Sequence, residues 1–95
     1  MTIKLASLLL AAAVSLTAMQ AAAADKVTLQ LKWVTQAQFA GYYVAKDKGF
    51  YEEEGLNVTI LPGGPDVAPT QVLAAGGADV VVDWMPSALA AREKG

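Results

Sequence analysis

The sequence predicts an α/β protein with a parallel sheet, preceded by an export signal. Apolar segments at residues 27–33, 56–61 and 78–82 have the alternation or the continuous apolar character of strands. Each of them is followed by a segment with helical spacing. Because short links and right-handed crossovers connect such units, the strands should run parallel with helices on the faces of the sheet.

Residues 1–24 have the pattern of a secretory signal peptide. Lys4 precedes an uncharged apolar run over residues 5–19, and small residues lead to the charged Asp25. A membrane anchor is the alternative, but the run is shorter than the ~20 residues that cross a bilayer. The absence of cysteine excludes lipid attachment at the cleavage site. We expect cleavage after Ala24 and export to the periplasm.

Composition narrows the function of residues 25–95. This segment holds six of the seven lysines and arginines and all nine acidic residues, which gives a formal charge of −3. A mildly acidic chain without a basic cluster argues against nucleic acid as a partner. The absence of cysteine rules out disulfides, and the absence of both cysteine and histidine leaves few transition-metal ligands. We expect neither a metal site nor a cofactor. A segment of this size is near the lower limit for a core of its own, so we expect it to be part of a larger protein.

The first unit joins a strand at residues 27–33 to a helix. Alternation places one set of side chains on a single face of the strand: Val27, Leu29, Leu31 and Trp33. The helix should begin near Phe39 and stop at Gly49. Since Tyr42 and Tyr43 are adjacent, only one of them should face the core, and the other should be exposed.

The later units repeat this order. Residues 50–55 predict a solvated helical turn closed by Gly55, and 56–61 predict the second strand, ended by turn residues at 62–66. A helix over 67–75 should stop at Gly76. The run at 78–82 suits a strand buried on both faces, and Pro86 suits the first residue of a helix that extends to about Lys94.

The carboxyl ends of the three strands should meet at one edge, where open α/β sheets bind small ligands. They carry residues 33–36, 63–66 and 83–87, so two tryptophans should share a crevice that suits a flat, polar molecule. Trp33 could equally be a core residue, whereas Trp84 better suits a rim. Asp79 could brace the sheet, and Asp83 is better placed to meet a ligand. No arginine or lysine is expected in the crevice.

Residues 36–51 (QAQFAGYYVAKDKGFY), 53–58 and 75–79 resemble the solute-binding proteins of ABC importers. The pattern G-x-Y-V-A-K-x-K-G-F/Y-Y/F-x-x-E-G-L-x-V, here Gly41 to Val58, is similar to the nitrate, sulfonate, taurine and thiamine-pyrimidine-precursor branch. The resemblance implies a two-lobed periplasmic binding protein that delivers its ligand to a permease at the inner membrane. Residues 25–95 would form the N-terminal, incomplete part of its first lobe. It also implies that an aromatic side chain at Trp33 stacks on the ligand ring.

An enzyme of the same family, the thiamine pyrimidine synthase, offers an alternative. The resemblance implies that this enzyme uses pyridoxal phosphate, and it places the lysine that holds this cofactor at Asp83 and the sacrificial histidine at Ser87. Neither residue can supply that chemistry. We therefore expect a binding protein rather than an enzyme.

The prediction is a periplasmic protein that binds a pyrimidine-like thiamine precursor or a related small heteroaromatic compound. Alternatives are the synthase, a nitrate, sulfonate or taurine binder, and a truncated product without a function of its own. Trp33 and Trp84 are the expected stacking platforms. The expected hydrogen-bonding partners of the ligand are Gln36, Gln38, Asp66, Asp83 and Ser87.

Overall fold

A computed structural model describes residues 23–95, so the predicted signal peptide lies almost wholly outside the described part of the chain. Strands and helices alternate along the described residues. They are β1 (Asp25–Gln30), a 3₁₀ turn (Ala37–Phe39), α1 (Ala40–Asp47), α2 (Phe50–Glu53), β2 (Leu56–Leu61), α3 (Pro69–Ala74), β3 (Val80–Val81) and α4 (Met85–Glu93). None of these helices has the length and apolar character needed to cross a membrane.

The described strands form a three-stranded parallel sheet in the order β2-β1-β3. β1 is therefore central and pairs with both other strands. Its register opposes Val27 to Val58 and Leu29 to Ile60 on one side, and Leu29 to Val80 on the other. The predicted α/β class and parallel sheet are confirmed.

The core lies between one face of β1 and β2 and the residues around α1. Its buried members are Leu29, Leu31, Phe39 and Val58, and Leu31 has no exposed surface at all. Alternation explains the strand members, because the inward positions repeat every second residue. Aromatic and aliphatic side chains that are partly buried cover this cluster: Val27, Trp33, Tyr42, Tyr43, Tyr51, Leu56, Ile60 and Val82.

The first unit differs from its prediction at both ends of its strand. β1 starts two residues before Val27 and ends at Gln30, and the chain bends at residues 32–35. Trp33 therefore follows the strand instead of ending it, although it still packs against the core. The helix stops as predicted at Gly49, whose φ of 75° suits a residue without Cβ.

Tyr42 and Tyr43 correct a second expectation. Both are partly buried against the core, although they are adjacent on α1. Each ring covers part of the cluster, because an apolar stripe on a helix spans more than one side-chain direction. The Tyr43 hydroxyl also lies 3.3 Å from Thr35 Oγ1, and this contact ties α1 to the bend after β1.

β3 is shorter and more exposed than predicted. It spans two residues instead of five, and Val80 is 51% exposed. The expectation of burial on both faces is wrong for these described residues, because β1 and not β3 is the central strand. α3 is also shorter than predicted: Pro69 is its first residue and holds Ala68 in an extended conformation.

Candidate ligand-binding site

The two indole rings meet at the carboxyl edge of the sheet. The centroids of Trp33 and Trp84 are 5.6 Å apart, and their planes are inclined by 32°. Trp33 is partly buried against the core, whereas Trp84 is 48% exposed. The predicted meeting of two indoles that follow β1 and β3 is thus observed, and a crevice formed by all three strand ends stays a prediction. Ligand binding by the two residues stays a prediction.

The loop after β2 is held against the same edge by Gly63. Its N–H donates to the Trp33 carbonyl at 2.9 Å. A Cβ at Gly63 would lie 2.4 Å from the Leu31 carbonyl oxygen and from the Lys32 carbonyl carbon, so only glycine permits this approach. The predicted turn thus has a second role, because it fixes the backbone that carries Trp33.

Gln30 is a positioning residue that sequence reasoning missed. Its side chain is buried, and its amide nitrogen donates to the carbonyls of Leu31, Leu61 and Pro62. A buried amide with these partners joins the ends of β1 and β2. The sequence carries no signal for this role, because Gln30 is one of the polar residues of an alternating strand and alternation assigns it to the solvent face.

Lys32 and Asp83 form an ion pair beside the indoles. Lys32 Nζ lies 2.9 Å from Asp83 Oδ1, and the two side chains are only 13% and 7% exposed. The same ammonium lies 5.1 Å from the Trp84 ring centroid, within the range of a cation–π interaction. Asp83 Oδ1 also accepts a hydrogen bond from the backbone N–H of Trp84 at 2.8 Å. The expectation that no lysine lies at the crevice is wrong, because the bend after β1 turns Lys32 toward Asp83.

The other predicted binding residues are dispersed. Gln38 donates from Nε2 to Gln36 Oε1 at 3.1 Å, and both side chains are exposed on the link before α1. Asp66 is exposed in the loop after β2. Ser87 lies in a groove between α3 and α4 together with Thr70 and Lys94. Neither indole lines this groove.

Asp79 braces the sheet, which is one of the roles expected from its position in the sequence. Its carboxylate oxygen Oδ2 accepts the N–H of Thr28 at 2.8 Å, and its own N–H donates to the Thr28 carbonyl at 2.9 Å. Asp79 therefore extends the pairing of β1 with β3 and braces the sheet. Within residues 23–95, acidic side chains do not gather in threes in a way that could hold a metal ion.

The spacing of the indoles decides how a ring could bind. A ring inserted between two stacked indoles needs about 7 Å between them, twice the ~3.5 Å contact distance of carbon atoms. The observed 5.6 Å leaves no such gap. A planar ligand therefore cannot be sandwiched between the two indoles in this arrangement. Trp84 is the more exposed of the two, and Trp33 packs against it from the core side.

A family model and individual relatives that match this chain agree on one protein family. The sequence model described as "NMT1/THI5 like" matches residues 36–95. A formylaminopyrimidine-binding protein of Halalkalibacterium halodurans is 33% identical over 95% of this chain and 27% of its own length.

Several enzymes are similar to this chain as well. Among them are the 4-amino-5-hydroxymethyl-2-methylpyrimidine phosphate synthases of Aspergillus parasiticus, 31% identical, and of Legionella pneumophila, 34% identical. The alignments cover 74% and 75% of this chain but only 20% and 22% of those enzymes. The chain thus spans about a fifth to a quarter of the length of these relatives. No solved structure gives a significant match. The family match covers more than half of the residues, and the chain belongs to the NMT1/THI5-like family.

Proposed function

We propose that the chain forms part of the first lobe of a periplasmic solute-binding protein. Its ligand would be a pyrimidine-like thiamine precursor or a related heteroaromatic compound, delivered to an ABC importer through a permease at the inner membrane. The pyrimidine in the names of the relatives supports the ligand class. The pattern of residues 1–24 supports export.

The pair Trp33–Trp84 is the observation that carries this proposal. A partly exposed indole, braced by a second indole and placed at the carboxyl edge of a parallel sheet, suits a flat ring. Such a surface offers little to a small oxyanion such as nitrate, which binds through charge and hydrogen bonds. Family membership alone does not distinguish these ligands.

Replacement of Trp84 by alanine tests the proposal in the full-length protein. Stacking on an aromatic side chain contributes about 1–3 kcal/mol, so Trp84→Ala should weaken pyrimidine binding roughly 5- to 150-fold. Trp84 is the better target because Trp33 packs against the core, where truncation also lowers stability. Calorimetry measures the affinity, and the intrinsic fluorescence of the two tryptophans in the chain reports binding independently.

Phe50→Ala is the matched control, because Phe50 is a 49% exposed aromatic residue on α2. Its affinity should equal that of the unmodified protein. Equal affinities of Trp84→Ala and Phe50→Ala would remove the indole pair from the ligand site. Titration with taurine and nitrate in the same assay addresses the oxyanion alternative directly.

The pyrimidine synthase is the second candidate, and two of the relatives described above favour it. Lys32 does bring an amine to within 2.9 Å of Asp83, the position that the resemblance assigns to the cofactor-holding lysine. That amine is already engaged by the Asp83 carboxylate and the Trp84 ring. The residues described at this edge therefore do not fit pyridoxal phosphate.

A titration with pyridoxal phosphate separates the two candidates. A binding protein should show no new visible absorbance, and mass spectrometry after borohydride treatment should find no modified lysine at this edge. A stoichiometric adduct on Lys32 would favour the synthase.

A further inference from the structure

Lys32 and Asp83 place two opposite charges beside the indole pair, and ring stacking gives these charges no role. The Asp83 oxygen that holds the lysine ammonium at 2.9 Å also accepts the backbone N–H of Trp84. The carboxylate thus contacts both the backbone of the residue that carries the exposed indole and the cation beside that indole. The Lys32 ammonium lies 5.1 Å from the Trp84 ring centroid, so the pair would be a close neighbour of any ring that binds to this indole.

Because Lys32 and Asp83 are largely buried, the balance of their charges strongly affects the electrostatic potential beside the indoles. With 13% and 7% of their side chains exposed, Lys32 and Asp83 are shielded from water far more than an ordinary surface pair. Solvent screening is weak at such a site, so removal of one partner leaves the other as a strong local charge. With both present, the charge beside the indole is close to zero.

This balance has opposite consequences for different ligands. An uncharged ring meets no unpaired charge and keeps its stacking surface. An anion meets an ammonium that is already neutralised, with the Asp83 carboxylate beside it, so it would lose hydration without gaining a counter-charge.

We propose that Asp83 determines ligand selectivity: by pairing with Lys32 it cancels the positive charge beside the indoles, so that the site takes uncharged heteroaromatic rings and discriminates against anions. This inference rests on the proposed function, because it concerns the ligand of the same site. Asp83 acts here as a specificity-determining residue that works through Lys32.

Asp83→Asn in the full-length protein is the direct test. Asparagine keeps an Oδ1 acceptor for the Trp84 N–H and removes only the charge. Three probes share one ring, 4-amino-2-methylpyrimidine, and carry a 5-hydroxymethyl, a 5-carboxylate or a 5-aminomethyl group. Affinity for the carboxylate should rise about tenfold in Asp83→Asn and fall again with added salt, whereas affinity for the hydroxymethyl probe should change less than about threefold.

Two further variants control for charge and for folding. Glu53→Gln makes the same change of net charge at an exposed position on α2 and should leave all three affinities unchanged. If Asp83→Asn does not fold, as judged by circular dichroism, Lys32→Gln gives the reciprocal test. It leaves Asp83 unpaired, so the aminomethyl probe should bind about tenfold more tightly.

The outcomes separate this inference from the proposed function. If the unmodified protein binds the hydroxymethyl probe but neither variant changes its charge preference, the selectivity role is overturned and the proposed function stands. A gain for the carboxylate that Glu53→Gln reproduces also overturns the selectivity role. If the unmodified protein binds none of the probes, the proposed function and this inference fail together.

Discussion

At Gly63 the backbone of the loop after β2 passes directly against the chain that follows β1. The space that a Cβ would need is filled by the Leu31 carbonyl oxygen and the Lys32 carbonyl group. These are backbone atoms next to Trp33, so they cannot move aside as a flexible side chain could. The position of one indole therefore depends on the absence of a side chain on a neighbouring loop.

Gly63→Ala should lower the free energy of unfolding by about 1–3 kcal/mol, the usual cost of forcing atoms into a packed site. Denaturant unfolding, followed by tryptophan fluorescence, measures the change. Gly64→Ala is the matched control, because the nearest atom to its Cβ would be a Val34 methyl carbon at 3.8 Å. It should stay within about 0.5 kcal/mol of the unmodified protein. Equal stability of the two variants would contradict the close approach.

Residue patterns predicted some of these positions and missed others. Gly63 was expected in a turn, but its contact with Leu31 and Lys32 depends on how two loops meet. The burial of Gln30 was missed for the same reason, because its hydrogen-bond acceptors include the carbonyls of Leu61 and Pro62, which are remote in sequence. Asp79 was recognised as a possible brace of the sheet, and its bond to the Thr28 N–H confirms that role.

At the level of elements, β3 is the weakest part of the described sheet. Only two of its residues pair with β1, and Val80 is half exposed. Asp79 lengthens this short ladder by a side-chain bond to the Thr28 N–H. The attachment of β3, and with it the position of Trp84 a few residues later, thus depends partly on one carboxylate.

Asp79→Ala should increase the hydrogen-exchange rate of the Thr28 amide about tenfold, because one bond to a charged acceptor is lost. Asp79→Asn, which keeps an oxygen acceptor, should show a smaller increase. Exchange measured by NMR reports this amide individually. An unchanged Thr28 amide in Asp79→Ala would show that the carboxylate does not hold β3 in solution.

At the level of the whole molecule, Asp25 is both the first residue after the predicted cleavage site and the first residue of β1. This residue begins β1, and its N–H donates to the Gly55 carbonyl at 2.9 Å. Cleavage after Ala24 would therefore leave the central strand intact, and the new amino group could still make this bond. The proposed cleavage site is therefore compatible with the position of β1.

Protein recovered from the periplasm of an expressing bacterium should begin at Asp25, as read by mass spectrometry of the intact chain. Ala24→Leu should block or displace the cut, because the cleavage site requires small residues. Ala45→Leu, inside α1, changes the chain equally but should leave processing unaltered. Recovery of protein that still begins at Met1 would contradict export by a cleaved signal.

Local side-chain patterns were enough to predict the order of strands and helices in residues 25–95. Alternation at residues 56–61 predicted β2 with its observed bounds, and Gly49 marked the end of α1, because both depend on side chains only a few positions apart. The central place of β1, the burial of Gln30 and the pairing of Lys32 with Asp83 became visible in the folded chain alone. These features depend on which distant segments come together, and a local pattern carries no information on such contacts.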